Sequence, residues 1–255
     1  MANTPYTTNF YQTYLQESQG SARNMLPHVI RMFSPKSVID IGCGVGTWLS
    51  IFKELGVART MGVDGAYVDQ SQLLIDRGTF RSHDLSQPLK LSETFDLAVS
   101  LEVAEHIAAS SAQTFVDSLV RAAPLVLFSA AIPHQGGGGG DHVNEQWPEY
   151  WIERFTKCDY VAYDCIRSLV WDDPSVAYYY AQNAFVFVKR DKLSEYRVLA
   201  SSQPATGALA RVHPRRWLEA NDPRRQRLPP LVQALPHSIS NAIKLRLRRS
   251  LGVKS

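Results

Sequence analysis

Two histidines bracket five consecutive glycines in AIPHQGGGGGDHVNEQWP, residues 131–148. His134 opens the stretch, His142 closes it, and Glu145 follows three residues later. An imidazole titrates near neutral pH, so either histidine can take a proton from a reacting group, and a neighbouring carboxylate can orient or charge-pair it. The glycines suit a surface loop, a metal loop or a moving wall beside a site. The second stretch with chemical content is VIDIGCGVGTW, residues 38–48. Gly42, Gly44 and Gly46 allow a sharp turn and close approach of a ligand to the main chain. Asp40 precedes them by two residues. A carboxylate there repels a pyrophosphate and can face an ammonium group. Three more acids follow. Asp64 in GVD can accept both hydroxyls of a ribose. Asp84, with Leu85 beside it in HDL, can offer a carboxylate and an apolar surface to an adenine. Glu102 sits in SLEVAEHI.

Elements must hold these residues in register. Residues 18–33 read as a helix that Ser18 or Ser21 caps, with a kink or late start at Pro27. The run SVIDI reads as a buried strand entering the glycine turn, and residues 46–55 as the helix that follows, with Gly56 as its stop. Strands are expected at 59–64, 79–84, 95–101 and 125–130, helices at about 68–77, 110–122 and 148–157, and two late strands near 159–166 and 182–189. Strands alternating with helices predict an α/β fold, a parallel sheet with helices on both faces, and ligands in such sheets bind beyond the carboxyl ends of the strands.

The chain has 255 residues, 45% of them hydrophobic and 20% charged, which excludes wholesale disorder. No apolar run is long enough to span a bilayer, and the N-terminus lacks the pattern of a signal peptide. Cys43, Cys158 and Cys165 form no CxxC pair, which favours a reducing compartment, structural thiols and a cytoplasmic location over zinc. Charge is uneven. Residues 1–189 carry 13 Lys and Arg against 20 Asp and Glu, whereas residues 190–255 carry 14 against 4. An acidic body with a basic tail is expected.

The series IDIGCGVGTW, GVD, HDL and SLEVAEHI, in that order and spacing, resembles the class I S-adenosylmethionine-dependent methyltransferases over about residues 36–190. The resemblance implies a Rossmann-like, seven-stranded, mostly parallel sheet with an antiparallel last strand. It implies S-adenosylmethionine as cofactor, with Asp40, Gly42, Gly44 and Gly46 at its methionine end, Asp64 at the ribose, Asp84 and Leu85 at the adenine, and Glu102 and Val103 beneath it. The segment Gln19–Arg23 either folds over the cofactor or packs as plain helix. Three regions are expected: an N-terminal helical cap over 1–35, the methyltransferase domain over 36–190, and a basic Pro- and Arg-rich extension over 191–255.

The strand-four loop lacks the (N/D)PP(Y/F) and Pro-Cys motifs of enzymes that methylate bases in nucleic acids, and no nucleic-acid partner is expected. The combination IPHQGG…HVNEQWPEYW with the later SVAYYYAQNAFVFVKR is similar to saccharide O-methyltransferases of glycan and polysaccharide biosynthesis. That likeness implies a sugar hydroxyl as acceptor, with Trp147, Tyr150 and Trp151 as stacking faces. His142 ranks first as base, oriented by Asn144 and Glu145, and His134 second. His106 reads as a helix-start or cofactor-side residue. A magnesium ion at Asp141, His142 and Glu145 ranks behind the metal-free mechanism, because magnesium prefers carboxylates and water to imidazole. The alternatives are another small hydroxylated metabolite as acceptor, or a non-catalytic cofactor-binding scaffold. Ile239, Ile243, Leu247 and Leu251 place an apolar stripe among basic residues in the tail, which suits an anionic membrane surface, a partner protein or ordinary packing. A homo-oligomer is expected.

Overall fold

The structure, a computed structural model, describes residues 8–136 and 142–222. Among the described residues up to Lys189, six helices and seven strands follow in the order α1 (Thr8–Phe33), β1 (Ser37–Ile41), α2 (Thr47–Glu54), β2 (Arg59–Asp64), β3 (Phe80–Ser82), β4 (Leu97–Leu101), α3 (Ala112–Ala122), β5 (Leu125–Ser129), α4 (Pro148–Lys157), β6 (Tyr160–Tyr163), α5 (Arg167–Val170), α6 (Tyr178–Asn183) and β7 (Phe185–Lys189). The chain forms two compact units that divide between His213 and Pro214. The second contains a short helix, α7 (Pro214–Asn221). The basic stripe of residues 239–251 and Asp141 lie outside the described residues.

The strands form one sheet in the order β3-β2-β1-β4-β5-β7-β6. β7 runs antiparallel to both β5 and β6, and the other pairings are parallel. The Rossmann-like α/β sheet with an antiparallel last strand therefore holds. Strands β1, β4 and β5 are buried at every position, as expected where helices cover both faces of a parallel sheet. One face packs Leu26, Leu49, Phe52, Val99 and Leu127 with α1 and α2, and the other packs Phe115, Leu119, Val126, Phe155 and Phe187 with α3 and α4. Within α3 the buried residues Ala112, Phe115, Val116, Leu119 and Ala122 recur at helical spacing, so one stripe meets the sheet.

Three local expectations change. Helix α1 runs unbroken from Thr8 through Pro27 to Phe33. An interior proline costs about 3 kcal/mol. Burying each large apolar side chain returns roughly 1.5–3 kcal/mol, and Met25, Leu26 and Val29 are all fully buried. Ser18 and Ser21 are mid-helix and do not cap it. Ser18 Oγ meets the Tyr180 hydroxyl at 3.2 Å, and Ser21 Oγ accepts the Ala177 amide at 2.9 Å, which ties α1 to the start of α6. Residues 68–77 form no α-helix, only 3-10 turns at Gln70–Gln72 and Arg77–Thr79. Asp69 accepts the Ser71 amide and Asp76 accepts the Gly78 amide. Such local side-chain bonds compete with the helical ladder.

Candidate active site

The sheet reverses its direction of growth at β1: β2 and β3 lie on one side, β4 and β5 on the other. In open α/β sheets ligands bind beyond the carboxyl ends of the strands at such a switch point, here beyond the ends of β1 and β4. Asp40 on β1 is paired in register with Gly62 of β2 and Val99 of β4, and it is buried. Burial, then the charge of Asp64, push its carboxyl well above the usual range. Gly42, Gly44 and Gly46 all have positive φ, at 94°, 53° and 85°. A Cβ on Gly42 would meet the Val103 side chain at 2.4 Å, so glycine is required there by both conformation and space. A Cβ on Gly44 would meet nothing within 4 Å, so the space beside it is open to a ligand.

Asp64 ends β2. Its Oδ2 accepts the Gly44 amide and its Oδ1 accepts the Gly65 amide, both at 2.6 Å. The Tyr67 hydroxyl also donates to Oδ1. Asp64 thus supports the glycine turn and already holds one hydroxyl donor. Asp84 is exposed, and its Oδ1 accepts the amide and hydroxyl of Ser86, which hold it ionised below the usual range. Leu85 beside it is buried.

Glu102 follows β4 with φ 56°. Gln135 donates to one carboxylate oxygen at 2.6 Å and Asn183 to the other at 3.1 Å. Burial lifts its pKa to about 7, against the opposing bonds from Asn183, Ser129 and Gln135. Gln182 extends this network to Gln135 at 3.0 Å. Gln135, Gln182 and Asn183 escaped the sequence reading. Amides in a loop and a late helix carry no pattern of their own, and only the antiparallel insertion of β7 beside β5 brings them to Glu102.

The loop after β5 closes on Glu145. Its Oε2 accepts the His134 amide at 2.7 Å, while Oε1 accepts the Gly136 amide at 2.7 Å and meets His142 Nδ1 at 2.8 Å. One carboxylate therefore joins both ends of the glycine stretch. Burial opposes its ionisation, but the Gly136 amide, His142 and the His134 amide together hold its carboxyl below the usual range. His134 is engaged through its main chain, and its side chain is exposed. Asn144 makes its hydrogen bonds to Glu105 and Gln146 rather than to the His142 ring. Its amide donates to the Glu105 carbonyl at 2.9 Å and its side chain accepts from Gln146 at 3.0 Å.

His106 is no helix-start residue of α3, which begins at Ala112. It ends a 3-10 turn, Ala104–His106, and its ring stands edge-on to His142 with centroids 4.8 Å apart. The preceding Glu105, unremarked in the sequence beyond its motif, is 1% exposed. Its spacing of three from Glu102 was the available signal. The expected aromatic faces are reduced. Trp151 packs in the core against Phe128 at 5.3 Å, and the Arg154 guanidinium covers Tyr150 at 3.4 Å. Trp147 remains 42% exposed. Core packing by α4 accounts for the difference.

A family model described as "Methyltransferase domain" matches residues 12–171. The chain belongs to this methyltransferase family. S-adenosylmethionine is its cofactor. The open space beside Gly44, the buried Asp40 and the hydroxyl-accepting Asp64 fit a ligand with an ammonium group and a ribose. The chain is 33% identical over 104 residues to a ubiquinone biosynthesis O-methyltransferase from Bartonella quintana (strain Toulouse). That match covers 37% of this chain and 40% of the relative, so it spans about two fifths of the relative's length. Among solved structures, a sugar N-methyltransferase from a Streptoalloteichus species superposes with a TM-score of 0.55 at 12% identity, over 74% of this chain and 98% of that one. An amino pentose methyltransferase from Micromonospora echinaspora, bound to S-adenosylmethionine, superposes with a TM-score of 0.52 at 13% identity, over 74% and 100%. At these identities they share the methyltransferase fold. No helix among the described residues is long and apolar enough to cross a membrane.

Proposed function

We propose that this methyltransferase acts on a hydroxyl group of a saccharide, with His142 as general base. The observation that carries the reading is the 2.8 Å contact between His142 Nδ1 and Glu145 on the loop after β5. A hydroxyl must lose its proton as it attacks, and an imidazole held by a carboxylate is suited to take it. The bound cofactor supplies an electrophilic methyl group on sulfur. The chain's task is to hold the acceptor oxygen in line with that methyl group, which lowers the entropic barrier. The acceptor's proton would pass to His142 Nε2, leaving the oxygen pair to take the methyl group that the cofactor would supply, with the neutral thioether as leaving group. Glu145 orients the ring and stabilises the imidazolium. Asp40, Gly42, Gly44 and Gly46 serve the methionine end, Asp64 the ribose, Asp84 and Leu85 the adenine, and Glu102 and Val103 the floor of the crevice.

The exposed face of Trp147 between Gln146 and the buried start of α4 supports a sugar acceptor, because sugars stack their C–H faces on aromatic rings. The names of the two fold neighbours, both sugar methyltransferases, point the same way. A second reading, a phenolic hydroxyl, is favoured by the ubiquinone biosynthesis relative. Labelled cofactor offered with a panel of saccharides and a panel of phenols decides between them. Label in saccharide methyl ethers supports the first reading. Label in phenols alone overturns it.

A further inference from the structure

The region between the end of β4 and the loop after β5 holds a set of ligating atoms of which general-base chemistry uses only His142. One carboxylate oxygen of Glu105 and one ring nitrogen each of His106 and His142 all lie within 4.8 Å of one another. They come from two separate stretches of chain. The 3-10 turn after β4 supplies two, and the segment after the glycines supplies the third. The turn and that segment are fastened together, because the amides of Val143 and Asn144 both donate to the Glu105 carbonyl at 2.9 Å. The approach of the three side chains is therefore built into the backbone.

Two independent observations point to a cation. The first is that Glu105 Oε2 is buried and has no hydrogen-bond partner. A buried carboxylate oxygen without a donor is costly, and a cation relieves that cost. The second is the tie on His142. Its Nδ1 is held by Glu145 at 2.8 Å, which leaves Nε2 for coordination. Histidines that bind metal characteristically give their other nitrogen to a carboxylate in this way.

We propose that Glu105, His106 and His142 bind one divalent first-row transition ion in the series from Mn²⁺ to Zn²⁺. Two imidazoles and one carboxylate suit such ions, whereas Mg²⁺ demands a shell of oxygen. Three protein ligands leave open positions, the arrangement of catalytic rather than structural sites. The binding stands on the geometry of the cluster. Its purpose rests on the hydroxyl-acceptor reading above: an ion in this place polarises an acceptor hydroxyl and lowers its pKa, so that the proton passes to solvent and the oxygen pair becomes available to the methyl group. His142 is then a ligand, and in the metal-free protein it remains the base.

The test uses full-length protein stripped with a chelator and titrated with Co²⁺, whose visible absorption reports imidazole and carboxylate ligation. Calorimetry with Mn²⁺, Zn²⁺ and Mg²⁺ runs alongside. One equivalent of Co²⁺ should bind with a ligand-field spectrum, Zn²⁺ should displace it, and Mg²⁺ should not. His106→Gln, at an exposed position, and Glu105→Gln should each weaken Co²⁺ binding at least tenfold, while His28→Gln, on α1 and outside the cluster, leaves it unchanged. Absence of stoichiometric binding, or equal binding by wild type and His106→Gln, overturns the site. Transfer assays with and without Mn²⁺ separate this from the functional reading. Hydroxyl methylation without any metal binding removes the ion and leaves the base mechanism. Stoichiometric binding with no transfer to any hydroxyl acceptor leaves the ion and removes the proposed function.

Discussion

His142 and Glu145 sit three residues apart and meet at 2.8 Å, and the same carboxylate anchors the amides of His134 and Gly136 across the glycine stretch. Orientation of the ring and closure of the loop therefore depend on one side chain. The glycines permit a tight return, and Glu145 fixes where that return ends.

Glu145→Gln tests that coupling. An amide has one acceptor oxygen, so it cannot hold both main-chain amides and the ring. Hydrogen bonds to a charged group contribute about 1.5–3 kcal/mol. The rate should fall roughly ten- to a hundredfold, with cofactor affinity nearly unchanged. Steady-state kinetics with calorimetric cofactor binding checks both, and an unchanged rate would separate the loop from catalysis.

Gly42 and Val103 test the packing beneath the glycine turn. Gly42→Ala places a methyl group 2.4 Å from Val103 at φ 94°. Strain of this kind costs of the order of 1–3 kcal/mol, and the variant should melt several degrees lower by calorimetry. Adding Val103→Ala removes the clash but keeps the φ strain, so the double variant should recover part of the loss. No recovery would show that the contact is not the cause.

Much of the frame was legible in the sequence because its signals are local. SVIDI followed by glycines fixes a strand and turn, and the spacing of Asp40, Asp64 and Glu102 follows from one strand-and-helix unit after another. What stayed hidden is non-local. Ser18 and Ser21 look like caps until α6 packs beside them. The amides of Gln135 and Asn183 become a cradle for Glu102 only when β7 inserts between β5 and β6. Trp151 resembles a binding face in the sequence, yet the core claims it. His106 meets His142 across 35 intervening residues, which no periodicity reports.

Asp64→Asn should weaken S-adenosylmethionine binding roughly ten- to a hundredfold, the range for losing hydrogen bonds to a charged acceptor. Tyr67→Phe removes the hydroxyl that now donates to Asp64, and on the proposed ribose role of Asp64 it should leave affinity equal or tighter, because the phenol no longer competes for the carboxylate. Calorimetric titration distinguishes these. Weaker binding by Tyr67→Phe would mean that the phenol supports the ligand instead of standing in its place.

Glu102 carries a pH signature. Burial raises its pKa from an ordinary 4.5 to about 7, so between these values the folded protein holds a proton that the unfolded chain releases. Stability therefore falls as pH rises from about 4.5 to about 7 and levels off above. Glu105, raised mainly by burial and then by Glu102, acts in the same direction. Glu102→Gln should flatten the decline. Denaturant unfolding across pH 4.5–8 measures it, and parallel curves for wild type and variant would contradict the assignment.

The most direct measurement is single-turnover methyl transfer by His142→Ala, with cofactor affinity determined on the same protein. General-base catalysis contributes about 10²–10⁴ in rate. The account predicts a fall of that order with S-adenosylmethionine affinity nearly intact. A variant that binds the cofactor normally and transfers at the wild-type rate would contradict it, leaving the loop after β5 without a part in the chemistry.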